Sequence, residues 1–164
     1  MSLMYVALQV LTVMLAAVTM ALSLAHALEF PGKLRLKKEQ YLLVQPIYYP
    51  GFTIGGIAEP AVILAALGLL IMTPVGTAAF WPLAGALAAL TTVQVIFWTK
   101  TQPANGFWLK ETELSHSATR FFQTGQGSAP RDWIAARDQW ERSHILRAVA
   151  ATLGLFLLTV AIVV

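Results

Sequence analysis

The chain has 164 residues, 57% of them hydrophobic and only 12% charged, with a formal charge of +3 and a mean hydropathy of +0.67. Soluble domains carry roughly 25% charged residues, so the balance excludes an ordinary soluble domain, and the length leaves room for one bundle and no second domain. All eleven Lys and Arg fall between positions 33 and 38 or between 100 and 147. There they flank apolar sequence, where basic residues orient a membrane protein and meet anionic lipid, so nucleic acid is not expected as a partner.

Four apolar stretches, about 3–28, 55–72, 75–99 and 145–164, are each long enough to cross a hydrocarbon core about 30 Å thick. The expected fold is all-α, an integral membrane four-helix bundle in the cell membrane forming one domain over 1–164. Four crossings place 29–54 and 100–144 on one side, which the positive-inside rule makes cytoplasmic. Both termini and the Thr73-Pro74 turn are then non-cytoplasmic. With no cysteine there is no disulfide, thiolate ligand or Cys nucleophile.

In the first stretch, Ala25-His26-Ala27 resembles a leader-cleavage site, but no Lys or Arg precedes it and the segment is expected to be retained as a helix. Its polar residues recur at spacings of four and three: Ser2, Tyr5, Gln9, Thr12, Thr19, Ser23 and His26, with Ala16 in the gap. Such a stripe must face other helices or a polar cavity. Hydrogen bonding between helices is the plainer reading for Ser and Thr, whereas His26 lies at the cytoplasmic end, where a functional role competes with it. Glu29-Phe30-Pro31-Gly32 is expected to stop this helix, and 37–45 to form a short interfacial helix laying Tyr41, Leu42 and Val44 on the membrane. Tyr48, Tyr49 and Phe52 are expected at headgroup level.

Stripes can be drawn on the other spans. Glu59, Ile63, Ala66, Leu70 and Thr73 form one on the second; Thr77, Trp81, Ala84, Ala88, Thr91, Val95 and Trp98 one on the third. The fourth carries His144, Ala148, Thr152, Leu155 and Thr159. Between the third and fourth spans, 107–122 reads as a second interfacial helix, Gly125-Gln126-Gly127-Ser128 as a break, and Pro130 as the start of a helix about 50 Å long.

Pro103-Ala104-Asn105, Trp108 shortly after it, and the series Arg137, Trp140, His144, Arg147 are similar to a pattern of the anthrone oxygenase-like family of small four-helix membrane proteins. That pattern is P-x-N followed by R-x-x-W-x-x-x-N-x-x-R, and His144 stands where the family usually has Asn. Most of the family has no assigned function. The resemblance implies a four-helix fold and oxidation of a polycyclic phenolic carbon by dioxygen, with the His144 departure bearing on the substrate.

Physically, Arg137, Trp140, His144 and Arg147 share one helical face and are expected at the mouth of the bundle. Arg137 with Glu141, and Asp138 with Arg142, have the spacing of surface ion pairs. Arg147 lies inside the span, where it either snorkels or pairs with an internal anion such as Glu59, itself in need of a cation, metal or proton. His26, Glu59, His116 and His144 are candidate ligands for iron, zinc or copper, and His26 with His144 for haem. Two ExxH motifs, Glu113/His116 and Glu141/His144, with Glu29 and Glu59, also match a di-iron inventory, although a site without metal is favoured over either.

Two functions follow. One is a membrane oxidoreductase or oxygenase taking a lipophilic small molecule from the bilayer into a mouth lined by His26, Glu59, Asn105, Trp108, Trp140, His144 and Arg147. Asn105 and Arg147 would orient substrate oxygen there, and His26 or His144 would act as base or ligand. The alternative is a non-catalytic accessory subunit packed against other subunits of a larger membrane complex.

Overall fold

The computed structural model describes residues 2–108, 120–121 and 132–164, and every regular element among them is helical. In chain order these are α1 (Leu3–Lys33), α2 (Lys38–Val44), a 3-10 turn (Gln45–Tyr48), α3 (Gly51–Gly55), α4 (Ala58–Met72), α5 (Phe80–Ile96), a π-helical turn (Phe97–Thr101), α6 (Gln102–Trp108) and α7 (Trp133–Val163). Four continuous stretches, Leu3–Lys33, Gly51–Met72, Phe80–Trp108 and Trp133–Val163, are long and apolar enough to cross a membrane.

The four long helices form a closed bundle in which α1 and α5 each pack against α4 and α7. One end is filled by small and aliphatic residues: Ala16 from α1, Val62, Ala66 and Leu69 from α4, Leu83, Ala86 and Leu90 from α5, Leu158 and Ala161 from α7. Alanine at these positions lets the backbones approach closely. Gly154 does so further, since a Cβ there would stand 2.9 Å from Leu90 Cγ. The opposite end, which carries the charges, has a second core of Tyr41, Ala104, Trp108, Ala136 and Trp140.

Polar periodicity finds the packed face of α1, where Thr12, Ala16, Thr19, Ser23 and His26 are all buried. It misplaces the face of α5. Leu83, Ala86, Leu90 and Val93 point inward, while Trp81, Thr91, Val95 and Trp98 are exposed. The Thr91, Thr92 and Thr99 hydroxyls each donate to the carbonyl four residues back, at 2.8, 2.9 and 2.7 Å, and so require no neighbouring helix. In α7 the same holds for Thr159, which donates to Phe156 O, and the packed face is His144, Arg147, Ala148, Ala151, Gly154 and Leu158 rather than one through Thr152.

Three boundaries differ from expectation. α1 does not stop before Pro31 but runs through it to Lys33, because in the last turn the ring removes a single helical bond and Leu34 N–H still reaches Phe30 O at 3.1 Å. The third long helix continues past 99: the wide turn Phe97–Thr101, closed by Gln102 N–H on Phe97 O, precedes Pro103, and the chain stays helical to Trp108. Such a turn relieves the clash a proline ring makes with the carbonyl four residues back. α7 begins at Trp133, capped by Asp132, whose carboxylate accepts Ala135 N–H at 2.8 Å. Pro130, the 125–128 break, Glu113, His116 and most of the helix expected over 107–122 lie outside the described residues.

Candidate functional site

Above the aliphatic core, at the charged end, lies a cavity of about 430 Å³ walled by every long helix. Its volume is that of a small-molecule site, typically about 300–1,000 Å³. All seven residues singled out for chemistry, His26, Glu59, Asn105, Trp108, Trp140, His144 and Arg147, line it, together with Tyr48, Phe52, Phe97 and other aromatic side chains. The polar stripe of α1 delivers His26, the first turn of α4 delivers Glu59, and the face of α7 delivers Trp140, His144 and Arg147.

Arg147 and Glu59 are both 5% exposed, and the guanidinium donates to Glu59 Oε1 across the bundle. The pair satisfies two charges neither of which could stay ionised alone in that environment. Arg147 also approaches His144 Nδ1 at 3.3 Å. A guanidinium can only donate, so His144 Nδ1 accepts and the ring proton sits on Nε2. His26 packs on His144 with ring centroids 4.1 Å apart and on Tyr48, Phe52 and Trp140 at 4.5, 4.6 and 4.8 Å. Its Nδ1 is buried with no hydrogen-bond partner among the described residues, and Glu29 Oε2 is 3.8 Å away. Of the two imidazoles, His26 is the one whose Nδ1 has no hydrogen-bond partner among the described residues.

Asn105 is engaged. Its Oδ1 accepts Trp140 Nε1–H at 2.8 Å and its Nδ2 donates to Gln102 Oε1 at 3.3 Å, so it positions the indole from the cavity wall. Arg137 does not reach the cavity: it pairs with Asp138 at 2.8 Å and lies 5.3 Å from the Trp133 ring centroid. This replaces both surface pairs read from the spacing of α7, because Glu141 is buried and turned inward toward Tyr41.

That inward turn belongs to a buried network the helical spacing does not reveal. Tyr41, expected on the membrane surface, is instead 0% exposed, and its hydroxyl donates to Glu141 Oε1 at 2.8 Å. Burial and the adjacent Glu141 carboxylate push the Tyr41 phenol far above its ordinary range, so it remains a neutral donor. Lys33 bonds Glu29 at 2.8 Å, lies 4.0 Å from Glu141, and sits over the Tyr48 and Trp140 rings at 4.6 and 4.5 Å. Tyr48 donates to Glu29 at 2.6 Å, and burial together with that carboxylate raises its pKa also. The i, i+4 spacing of Glu29 and Lys33 was the one sequence signal for this network. Tyr41→Phe should lower stability by about 1–3 kcal/mol, read by thermal unfolding in detergent, since it strands the buried Glu141 oxygen.

Among the described residues no three His, Cys, Asp or Glu side chains are grouped to hold one ion. Glu59 is committed to Arg147, Glu29 to Lys33 and Tyr48, and Glu141 to Tyr41, while His116 lies outside the described residues. Of the candidate quartet, His26, Glu59 and His144 line the cavity, while His116, and Glu113 of the di-iron inventory, lie outside the described residues.

Nine buried side-chain polar atoms, among them the ion-paired Lys33 Nζ, make no hydrogen bond of regular geometry among the described residues, and six belong to residues lining this cavity: Ser23 Oγ, His26 Nδ1, Gln45 Nε2, Gln94 Oε1, Trp108 Nε1 and Arg147 Nε. An unsatisfied buried polar group costs about 1–3 kcal/mol, so their concentration at one place marks where water or a polar ligand would be stabilised. Comparison with protein-family models, curated proteins and solved structures finds no match to this chain.

Proposed function

We propose that this is an integral membrane enzyme that oxidises a lipophilic small molecule in the cavity, with the charged end cytoplasmic and the 37–48 region at the interface. The observation that carries the reading is the convergence of His26, His144, Arg147 and the unpartnered polar atoms on one aromatic-walled cavity. Ile54, Ile57 and Trp98 border the cavity and are also exposed on the apolar outer surface, which suits a substrate arriving from lipid. Following the resemblance to the anthrone oxygenase-like family, the substrate class is a fused-ring phenol with an activated methylene.

In this reading His26 Nδ1 takes a proton from the methylene, while Arg147 Nε–H and His144 Nε2–H stabilise the negative charge delocalised onto the substrate oxygen. Dioxygen is the co-reactant, and one methylene group with one dioxygen gives one ketone and one water. Both carbon–hydrogen bonds of the methylene break and a carbon–oxygen double bond forms. The carbon loses four electrons, dioxygen gains them, one oxygen atom stays on carbon, and the other leaves as water with the two protons.

Purified protein in mild detergent should consume one dioxygen per tricyclic phenolic methylene compound supplied, with the ketone appearing at the same rate. Consumption no faster than in protein-free detergent would overturn the chemistry. The orientation has its own test, made simple by the absence of native cysteine: single Cys at Gly76 and at Lys37 should react with an impermeant maleimide from opposite faces of sealed vesicles. Reaction of both from one face would contradict the topology.

A further inference from the structure

We propose that the cavity also binds the oxidised ring of a lipid-soluble quinone, with its tail passing out between helices into the bilayer. The inference rests on the reading that a lipophilic ring occupies this cavity, and it adds a ligand class. Two of the unpartnered atoms, Trp108 Nε1 on α6 and Arg147 Nε on α7, can only donate, and they come from different elements, so neither can satisfy the other. The complementary ligand offers acceptor oxygens at separate points on its body.

Its charge is constrained as well. Arg147 is already neutralised by Glu59, and Lys33 is held by Glu29, so among the described residues the site has no spare positive charge for a carboxylate or phosphate. Neutral carbonyl oxygens fit. The body between them must be flat and apolar, because Tyr48, Phe52, Phe97 and Trp140 supply the walls. A ring with carbonyls at opposite ends meets all three conditions. Its reduced form carries hydroxyls that must also donate, for which His26 Nδ1 and Gln94 Oε1 are the unpartnered acceptors. An apolar tail has a way out past Ile54 and Ile57, which are 64% and 65% exposed.

The test is a calorimetric titration of the protein in one detergent with four probes: a decyl-substituted benzoquinone, its quinol, decylbenzene and a tricyclic phenolic ketone. The quinone should bind one per chain and at least as tightly as the quinol, with decylbenzene not saturating. Trp108→Phe, which keeps the ring and removes the N–H, should weaken the quinone about five- to tenfold, the loss of one hydrogen bond. Gln45→Leu, on a separate element, should weaken it similarly, and Trp81→Phe, exposed on the outer face, should not. Quinone binding no tighter than decylbenzene, or unchanged in both Trp108→Phe and Gln45→Leu, would overturn the proposal. If the tricyclic ketone saturates and the quinone does not, the quinone inference alone fails; if neither ring compound saturates, the cavity reading fails with it.

Discussion

Arg147→Ala should destabilise the protein by about 3–5 kcal/mol, the cost of stranding one partner of a buried ion pair, and lower its midpoint of thermal unfolding by about 10 °C. The magnitude follows from location. Glu59 is 5% exposed, and Arg147 is the cation it meets. A second variant separates charge from packing: Glu59→Leu combined with Arg147→Met removes both charges while keeping apolar volume, and should be more stable than Arg147→Ala alone. Equal stability of wild type and Arg147→Ala in detergent would show that the two charges do not depend on each other.

His26→Gln should reduce turnover about 100- to 10,000-fold, the usual contribution of a positioned proton acceptor, with little change in KM. Glutamine keeps much of the ring's bulk and can hydrogen-bond, but has no nitrogen able to take a proton. His144→Gln should do less to kcat, because His144 Nδ1 is turned toward Arg147 and serves orientation and charge stabilisation instead. A His144→Gln loss exceeding that of His26→Gln would reverse the two roles.

How far the sequence carries this picture differs from residue to residue. Four apolar stretches were readable because hydropathy integrates over about twenty positions, and the α1 stripe because Thr12, Thr19, Ser23 and His26 do face neighbours. The α5 stripe misled for a physical reason: a threonine hydroxyl that bonds its own helix is as content facing outward as inward. The wide turn before Pro103 was not readable either, since proline announces a disturbance without saying whether the helix ends or bulges.

The site shows the same division. Glu59 and Arg147 were suggested as partners because an internal charge requires one, and the fold brings them together. Asn105 lines the cavity as expected of a group near the ligand, but its bond to Trp140, 35 positions away, follows from no spacing rule. Tyr41 and Glu141 are 100 positions apart, and only the folding of α2 over the bundle mouth reveals that a side chain suited to a membrane surface is buried against α7. Long-range pairs of this kind depend on how short helices dock, which local periodicity does not encode.

The measurement that bears most directly on the central claim is oxidation of the tricyclic methylene compound under oxygen-18-labelled dioxygen, with wild type and His26→Gln run side by side and products weighed by mass spectrometry. One labelled oxygen in the ketone, formed by wild type and reduced at least about 100-fold in His26→Gln, is the predicted result. Ketone formed equally by both proteins, or without label, would contradict the assignment of the cavity as an oxygen-dependent active site with His26 as its base.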